Sequence, residues 1–516
     1  MRKILLLSVL TILTVQLGYS QDQRYLDEIF DDVDVTSNVI YGVNATVLTV
    51  PDFGSAFDLP LVADIYEPTG DTETSRPLVI YFHTGNFLPF PQNSSPSGTK
   101  SDSTCVAVCS RLAKMGYVVA SVDYRLGWNP ISEVQEVRVN TLINAAYRGV
   151  QDSRNAIRYF KKTVAEDSNP YGIDDSKIVL WGQGTGGYIS LAAAALDEYS
   201  EVVLPKFIGS NMLPMVLESI NGNINGTSYG IVPAGVPGFP AVGDTLCIPN
   251  YETYDSGFQM AVNTGGAMGD TSWLDPGVVP IVSFHSPSDL FAPYGEATLN
   301  VALPGGGSLP VVEVQGSSIV QQEQTDLGNH DAWYEYTFID PYSVRADAVN
   351  GGLEGLFPVI RPEGSLDSSP WDYWSADNVN NDSGLLTNPD MSAAKAHMYI
   401  DTLLGYYAPR ACITLDLGCD LEAAGIVVGV EQTLVEKIGL SVSPNPAVNT
   451  ITFKTNAQNP INRINIFNVE GRLVRTEFYI RNSAFEFRRE DLNSGVYIAE
   501  IVLENEATVS QRIIFE

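Results

Sequence analysis

Histidine is scarce in this chain, and its few positions limit where side chains can exchange protons near neutral pH. The 516 residues include four histidines, namely His83, His285, His330 and His397. Nucleophilic acyl transfer needs a nucleophile on a tight strand-to-helix turn, a histidine to take its proton, a carboxylate to orient that histidine, and backbone N–H donors. Residues 182–187 are rich in glycine and directly follow an apolar run, so a tight turn is expected there.

The elements that must position these residues follow an alternating pattern. From about residue 35 to residue 196, short apolar runs alternate with segments of helical periodicity, which predicts an α/β fold with a mostly parallel sheet flanked by helices. Strands are predicted at 77–82, 117–122 and 177–181, and helices at 105–115 and 144–164. Strands at 258–263 and 278–284 and a last helix at 392–407 continue the pattern.

A stretch rich in glycine, proline and asparagine, at about residues 221–250, interrupts this rhythm. Long segments without regular structure inside a compact domain are usually functional or mobile. We therefore predict a cap insertion near residues 206–257, after the fifth or sixth strand.

The composition changes after Cys419. Short strands separated by turn residues are predicted at 441–445, 450–455, 463–468, 472–479, 484–488, 495–503 and 508–515. No helical periodicity occurs among them, which favours a small all-β, immunoglobulin-like sandwich at 440–516, after a linker at 421–439.

The motifs of this C-terminal segment resemble the type IX secretion system C-terminal sorting domain. They are Ser443-Pro444-Asn445-Pro446, the segment 466–472, the turn and strand at 492–497, and a closing strand at the end of the sequence. The resemblance implies contact with the outer-membrane secretion machinery and passage through the periplasm to the cell surface or the medium. An ordinary immunoglobulin-like binding domain is the alternative.

The first twenty residues indicate export as well. Arg2 and Lys3 precede an apolar run from residue 4 to about residue 15, and the small residues Gly18 and Ser20 follow. This is typical of a cleaved signal peptide, and the run is too short to span a bilayer as a helix. An N-terminal membrane anchor is the alternative.

The large domain, residues 21–420, resembles the α/β-hydrolases of the bacterial carboxylesterase and feruloyl-esterase-like type. The resemblance rests on residues 171–187, on Ala63-Asp64-Ile65-Tyr66-Glu67-Pro68 and on Asp123-Tyr124-Arg125-Leu126. It extends from about residue 38 to residue 410, and it implies an α/β-hydrolase fold with a cap, hydrolysis of carboxylic esters, and no cofactor or metal.

The chain departs from that family at the nucleophile. The family motif G-x-S-x-G is replaced by Gly182-Gln183-Gly184-Thr185-Gly186, so the nucleophile position is Gly184, which has no side chain. Thr185 and Ser190 are alternative nucleophiles, but Thr185 lies one residue past the turn and Ser190 lies more than one helical turn further along.

The resemblance also assigns the other site residues. It implies that Asp289, after the strand 278–284, is the orienting acid and that His330 is the base. Thr84, Gly85 and Thr185 are the expected oxyanion donors, with Thr84 where the family has glycine. We expect His285 to be structural, beside the acid, and His397 to belong to the last helix.

These residues support three hypotheses. The leading one is a secreted protein that binds a small-molecule, ester or glycan ligand and has lost efficient catalysis, so that restoring a serine at Gly184 would create esterase activity. The alternative is a divergent carboxylic-ester hydrolase that uses His330, Asp289 and a bound water or a displaced hydroxyl. A structural surface protein is the third.

Composition narrows the partners further. The formal net charge of −32 disfavours binding to nucleic acid or to an anionic membrane. Five cysteines leave at least one thiol without an intramolecular partner, and Cys412 with Cys419 is the expected pair. The aromatic run at 370–374 is expected to pack a loop onto the core, with glycan or lipid contact as the alternative.

Overall fold

The computed structural model describes residues 23–234, 240–303, 307–428, 438–468, 472–504 and 508–515, so the predicted signal peptide lies outside the described residues. The chain divides into two compact units. The first extends to Tyr334 and continues over Phe338–Ile426. The second contains Glu335–Thr337 and the residues from Val427 onward, so it begins inside the predicted linker.

The strands and helices of the described residues have these bounds. The strands are β1 Val33–Thr46, β2 Phe57–Pro68, β3 Arg76–Phe82, β4 Val118–Val122, β5 Ile173–Gln183, β6 Gly230–Ile231, β7 Thr245–Cys247, β8 Met260–Thr264, β9 Ile281–His285, β10 Glu296–Ala302, β11 Ser308–Gln315, β12 Tyr336–Phe338, β13 Leu356–Pro358, β14 Ile426–Val428, β15 Ser441–Ser443, β16 Thr450–Lys454, β17 Ile461–Asn468, β18 Leu473–Glu477, β19 Ala484–Arg488, β20 Gly495–Leu503 and β21 Thr508–Phe515. The helices are α1 Val50–Phe53, α2 Ser103–Lys114, α3 Gln135–Glu166, α4 Thr185–Ala195, α5 Glu218–Asn221, α6 Ser317–Asp326, α7 Asp331–Tyr334, α8 Pro341–Asp347, α9 Asn381–Leu385 and α10 Ala393–Thr414.

The first unit is built on an eight-stranded sheet with the order β1-β2-β4-β3-β5-β8-β9-β13. The strands from β4 to β13 in that order run parallel, and β1 and β2 join antiparallel. Strands β3, β4, β8 and β9 are buried along their whole length, which explains why apolar residues occur on both of their faces rather than alternating with polar ones. This is the α/β-hydrolase fold predicted from the sequence.

The parallel strands end at one level, and that edge of the sheet positions the candidate site. Gln183 pairs with Thr264, Thr264 with Phe284, and His285 with Pro358. Ligand sites of open α/β sheets lie outside the carboxyl ends of the strands. The loops that follow β3, β5, β9 and β13 therefore form the candidate site.

The predicted strands and helices are found with shifted ends, but β1, β2 and β13 of the eight-stranded sheet were not predicted. Helix α3 begins at Gln135 rather than at residue 144. Strand β13 has three residues, too few for its sequence to indicate a strand, yet it pairs with β9 and forms the edge of the sheet.

The predicted cap insertion contains short elements and turns, and buried arginines of α3 hold it. Arg154 donates hydrogen bonds to the Leu196 carbonyl and to Asn225, and Arg158 donates to the carbonyls of Asn225 and Asn250. These contacts place the segment along α3.

The second unit contains two antiparallel sheets, β15-β16-β19 and β18-β17-β20-β21. They share an apolar core that includes Ile451, Phe453, Ile466, Phe487 and Ile501. This agrees with the predicted β-sandwich.

Two further predictions can be compared with the structure. Cys412 and Cys419 form a disulfide, as predicted, whereas Cys105, Cys109 and Cys247 are buried thiols. Within the described parts of the chain, none of the helices has the length and apolar character needed to cross a bilayer.

Candidate active site

Gly184 forms the tight turn between β5 and α4. Its backbone angles are φ 55° and ψ −116°, a region that residues with a Cβ rarely adopt. Its N–H donates to the Thr264 carbonyl oxygen at 2.8 Å, which fixes the turn at the carboxyl edge of β8. The predicted strand-to-helix turn is present, and no side chain projects from it.

Thr84 fills the space in which a side chain at position 184 would lie. A Cβ built on Gly184 would be 2.1 Å from the Thr84 Oγ1 atom and 2.8 Å from its Cβ. Both distances are far below van der Waals contact. The glycine at the turn and the threonine in the loop after β3 are therefore sterically matched.

The predicted oxyanion loop has an unusual backbone. Gly85, Asn86 and Phe87 have φ angles of 126°, 58° and 54°, so three successive residues lie in the left-handed region. The Trp128 indole N–H donates to the Asn86 carbonyl oxygen at 2.6 Å, and the Gly127 N–H donates to that of Phe87 at 2.8 Å. These bonds hold the loop against the segment that follows β4.

The alternative nucleophiles are engaged elsewhere. The Thr185 hydroxyl lies 3.1 Å from the Tyr124 hydroxyl, which donates to the His83 carbonyl at 2.9 Å. The Ser190 hydroxyl is buried and lies within hydrogen-bond distance of the carbonyl oxygens of Gly187 and Val262. Thr185 begins α4, where backbone N–H groups have no intrahelical acceptor, so its predicted role as an N–H donor fits its position.

Asp289 lies where the resemblance places the acid, in the loop after β9. Its side chain is buried, and Oδ1 accepts the N–H groups of Phe291 and Ala292 at 2.7 and 3.1 Å. Burial raises the pKa of Asp289 to about 7, although these hydrogen bonds oppose the shift.

His285 is the imidazole closest to Asp289 among the described contacts. Its Nε2 lies 3.7 Å from the Asp289 Oδ2 atom and 3.1 Å from the Ala292 carbonyl oxygen, while Nδ1 lies 2.7 Å from the Ser317 hydroxyl. Burial lowers its pKa to about 4. The ring packs under the acid as a structural group, in line with the sequence-based expectation.

His330 does not lie at the candidate site, which corrects its assignment as the base. The Ile281 N–H donates to His330 Nε2 at 3.1 Å, and Ile281 is the first residue of β9, whereas Asp289 follows the other end of that strand. Four residue steps along a strand correspond to about 13 Å. His330 is fully buried, stacks on Trp333, and has its pKa lowered to about 3 by burial.

Trp371, in the loop after β13, lies in the neighbourhood of Asp289. A Cβ built on Gly265 would lie 3.3 Å from the Trp371 Cζ2 atom and 3.7 Å from the Asp289 Oδ2 atom, so the indole and the carboxyl flank the same point. Residues 359–392, which follow β13, contain no histidine. An indole N–H can donate a hydrogen bond but cannot accept a proton.

Asp372 anchors the same loop next to the Gly184 turn. The Gln183 side-chain amide donates to Asp372 Oδ1 at 2.5 Å, and the Tyr81 hydroxyl donates to Gln183 Oε1 at 2.7 Å. Burial raises the pKa of Asp372 to about 7. His397 lies apart on α10, exposed, with its ring 5.4 Å from that of Tyr373.

The sequence did not show that the Thr84 side chain lies at the Gly184 turn or that Trp371 lies near Asp289. The aromatic run at 370–374 was visible and its predicted packing is confirmed for Trp371, which is 1% exposed. In the α/β-hydrolase fold the nucleophile, the acid and the base follow one another along the chain, so the base is expected in the loop after the last strand of the sheet. Recognising that loop from the sequence required recognising β13.

Family models match two parts of the chain. Residues 63–218 match BD-FAE, an esterase-like α/β-hydrolase family, and residues 441–516 match the secretion system C-terminal sorting domain. No curated protein matches the chain.

Solved structures of Thermogutta terrifontis esterase 2 are similar at low identity. The form phosphorylated by paraoxon is 18% identical, with 51% of this chain and 74% of that chain covered and a TM-score of 0.28. The propionate-bound form is 18% identical, with 52% and 77% covered and a TM-score of 0.27. At these TM-scores the likeness carries no argument about this chain. From the family models, the chain contains an esterase-like α/β-hydrolase domain followed by a secretion system C-terminal sorting domain, which implies a secreted protein.

Proposed function

We propose that the hydrolase-fold domain binds a small ligand at the carboxyl edge of its sheet and does not hydrolyse esters efficiently. The observation that carries this proposal is the contact between Thr84 and Gly184. The Thr84 side chain lies where the first atoms of a serine would have to be. The loss of the nucleophile is thus accommodated by a second loop, as expected of a site that functions without it.

The positions of His330 and Trp371 support the same proposal. His330 lies at the amino end of β9, and Trp371 lies beside Asp289. In a serine hydrolase, loss of the nucleophile or of the histidine alone lowers turnover by about six orders of magnitude. Position 184 has no side chain and His330 lies away from the turn, so what persists beside Asp289 is a turn, backbone donors and a buried carboxyl, which suit recognition.

Export of the protein from the cell is the second part of the proposed function. The sorting domain supports export to the cell surface or the medium through the type IX machinery. We infer that the chain passes through the periplasm first, guided by the signal peptide predicted at residues 1–20. The ligand-binding domain would then act outside the cell.

Hydrolysis of p-nitrophenyl acetate by the purified mature protein tests the proposal. A short aryl ester demands little binding and reports mainly the chemical step. We expect a rate no higher than that of Thr84→Val, which keeps the shape of Thr84 without its hydroxyl. Turnover of about 1 s⁻¹ or more, a usual enzymatic value, would refute the proposal.

The Thr84 hydroxyl also favours a second candidate function. Its oxygen lies 2.1 Å from the position of the absent Cβ, close to where a serine hydroxyl would lie, so a divergent hydrolase could use it as a displaced nucleophile. In that case Thr84→Val would abolish turnover, and Asp289, whose pKa is raised to about 7, would be the candidate base. Comparing the turnover of the mature protein with that of Thr84→Val therefore distinguishes the two functions.

A further inference from the structure

A cavity of about 90 Å³ lies between the N-terminal turns of α3 and the first part of the cap insertion. Its polar wall comes from α3, where Glu136 and Asn140 are four residues apart and therefore share one helix face. Its apolar wall comes from the cap, through Leu213, Met215 and Leu217. None of these residues takes part in the candidate active site, so the cavity is a separate place in the first unit.

Hydrogen bonds from α3 hold the cap wall of this cavity in place. Residues 207–215 form a tight hairpin that backbone hydrogen bonds close. The Ser210 N–H donates to Glu136 Oε1 at 2.8 Å, and the Asn144 side-chain amide donates to the Met215 carbonyl oxygen at 2.9 Å. Both walls are therefore formed without a ligand, which lowers the entropic cost of binding one.

The Glu136 carboxylate keeps hydrogen-bonding capacity for a ligand. Its Oε1 atom accepts the Ser210 N–H, whereas Oε2 accepts no hydrogen bond and forms no ion pair within the described parts of the chain. Arg138, two residues further along α3, donates instead to the backbone carbonyls of Ser132 and Pro310. An ionised carboxylate only accepts hydrogen bonds, so a cation that carries N–H donors is the group that suits this wall.

The size and the apolar wall of the cavity define the rest of the ligand. Typical small-molecule sites have volumes of roughly 300–1,000 Å³, so this cavity takes a group of the size of one side chain. A carboxylate or phosphate would meet the like charge of Glu136. A polyol would place hydroxyl groups against Leu213 and Leu217, which offer no hydrogen bonds.

We propose that this cavity binds a primary alkylammonium group, with the ammonium beside Glu136 and Asn140 and the alkyl chain against Leu213 and Leu217. The formal net charge of −32 attracts cations to the surface in general, and the cavity adds one specific place for them. The ammonium belongs either to a free amine or to a lysine side chain of a peptide, and both sources present the same chemistry.

A saturation-transfer NMR titration of the purified mature protein tests the inference. The probe is n-butylammonium, with n-butanol and butyrate as its neutral and anionic four-carbon counterparts. Glu136→Gln removes the charge and keeps a side-chain oxygen for the Ser210 N–H. Glu133→Gln is the matched control, because Glu133 is exposed, lies just before the same helix and does not line the cavity.

We expect the parent and Glu133→Gln to bind n-butylammonium with a Kd of about 10 mM or less, and Glu136→Gln to bind it at least about tenfold more weakly. Leu213→Ala should weaken binding at least about threefold, because it removes part of the apolar wall. Leu213 is 52% exposed, so this variant still tests the inference if Glu136→Gln does not fold.

A lysine derivative with both backbone ends blocked distinguishes the two sources of the ammonium. Binding of Nα-acetyl-lysine N-methylamide as tight as that of n-butylammonium would indicate a peptide, and binding at least about tenfold weaker would indicate a free amine.

Absence of n-butylammonium binding at about 10 mM, equally tight binding of n-butanol, or binding that Glu136→Gln retains would overturn the inference. Retained binding would show that the acidic surface as a whole attracts the cation. None of these results bears on ester turnover at the Gly184 turn, so the proposed function stands or falls separately.

Discussion

Gly184 and Thr84 depend on each other, which changes what a single substitution can achieve. A serine at position 184 must adopt a left-handed conformation, and its Cβ would overlap Thr84. The sequence alone suggested that Gly184→Ser would restore esterase activity, because it showed the missing hydroxyl and not the threonine that replaces its volume.

We expect Gly184→Ser alone to be inert and to lower the free energy of unfolding by about 3 kcal/mol or more, from backbone strain and overpacking. Adding Thr84→Gly should recover about 1–3 kcal/mol, because it removes the overlap. Urea unfolding of the parent, both single variants and the double variant gives these values. A fully stable Gly184→Ser variant would contradict the Thr84 contact.

Asp372 makes stability depend on pH. Its pKa is raised by burial from 3.8 to about 7, so the folded state keeps a proton that the unfolded state releases. The stabilising contribution is complete below about pH 4 and is lost as the pH rises through about 7. Asp289 acts in the same direction.

Asp372→Asn keeps the Oδ1 acceptor for Gln183 and removes the titration. Between about pH 5 and about pH 8, we expect the parent to lose about 2 kcal/mol more unfolding free energy than the variant. Urea unfolding at both pH values measures the difference. Equal losses in the two proteins would show that Asp372 is not protonated in the folded state.

At the scale of elements, the loop after β13 supplies Trp371, the side chain that lies near Asp289. Most of the sheet could be predicted, because β3, β4 and β5 are apolar runs bounded by turn residues. Strand β13 could not be predicted, since three residues are too few to show a hydrophobic periodicity. Without it, the loop that contains His330 was taken for the last loop of the site.

The corrected loop assignment predicts a route to activity. A chain with Thr84→Gly, Gly184→Ser and Trp371→His would place a hydroxyl at the turn and an imidazole beside Asp289. We expect it to hydrolyse p-nitrophenyl acetate at least about tenfold faster than the double variant that retains Trp371, since a general base typically contributes 10²–10⁴-fold. A further Asp289→Asn change should reverse the gain. A folded triple variant no faster than the double would contradict the placement of Trp371.

At the scale of the whole molecule, the hydrolase-fold domain and the sorting domain have separate apolar cores. The sorting domain has its own apolar core, and its seven strands were predictable because each is bounded by turn residues. We expect deletion of residues 440–516 to leave a folded hydrolase domain that accumulates in the periplasm. Cell fractionation of the full-length and truncated chains tests this, and normal surface delivery of the truncated chain would contradict it.

The native site is proposed to lack an activated nucleophile, and covalent labelling reports on this property. The purified mature protein is incubated with a fluorophosphonate probe beside an active serine esterase, and intact masses are measured. We predict that the esterase gains one probe adduct and that this protein keeps its unmodified mass. A stoichiometric adduct that maps to Thr84, or to any other hydroxyl, and that disappears when this residue is replaced would contradict the account.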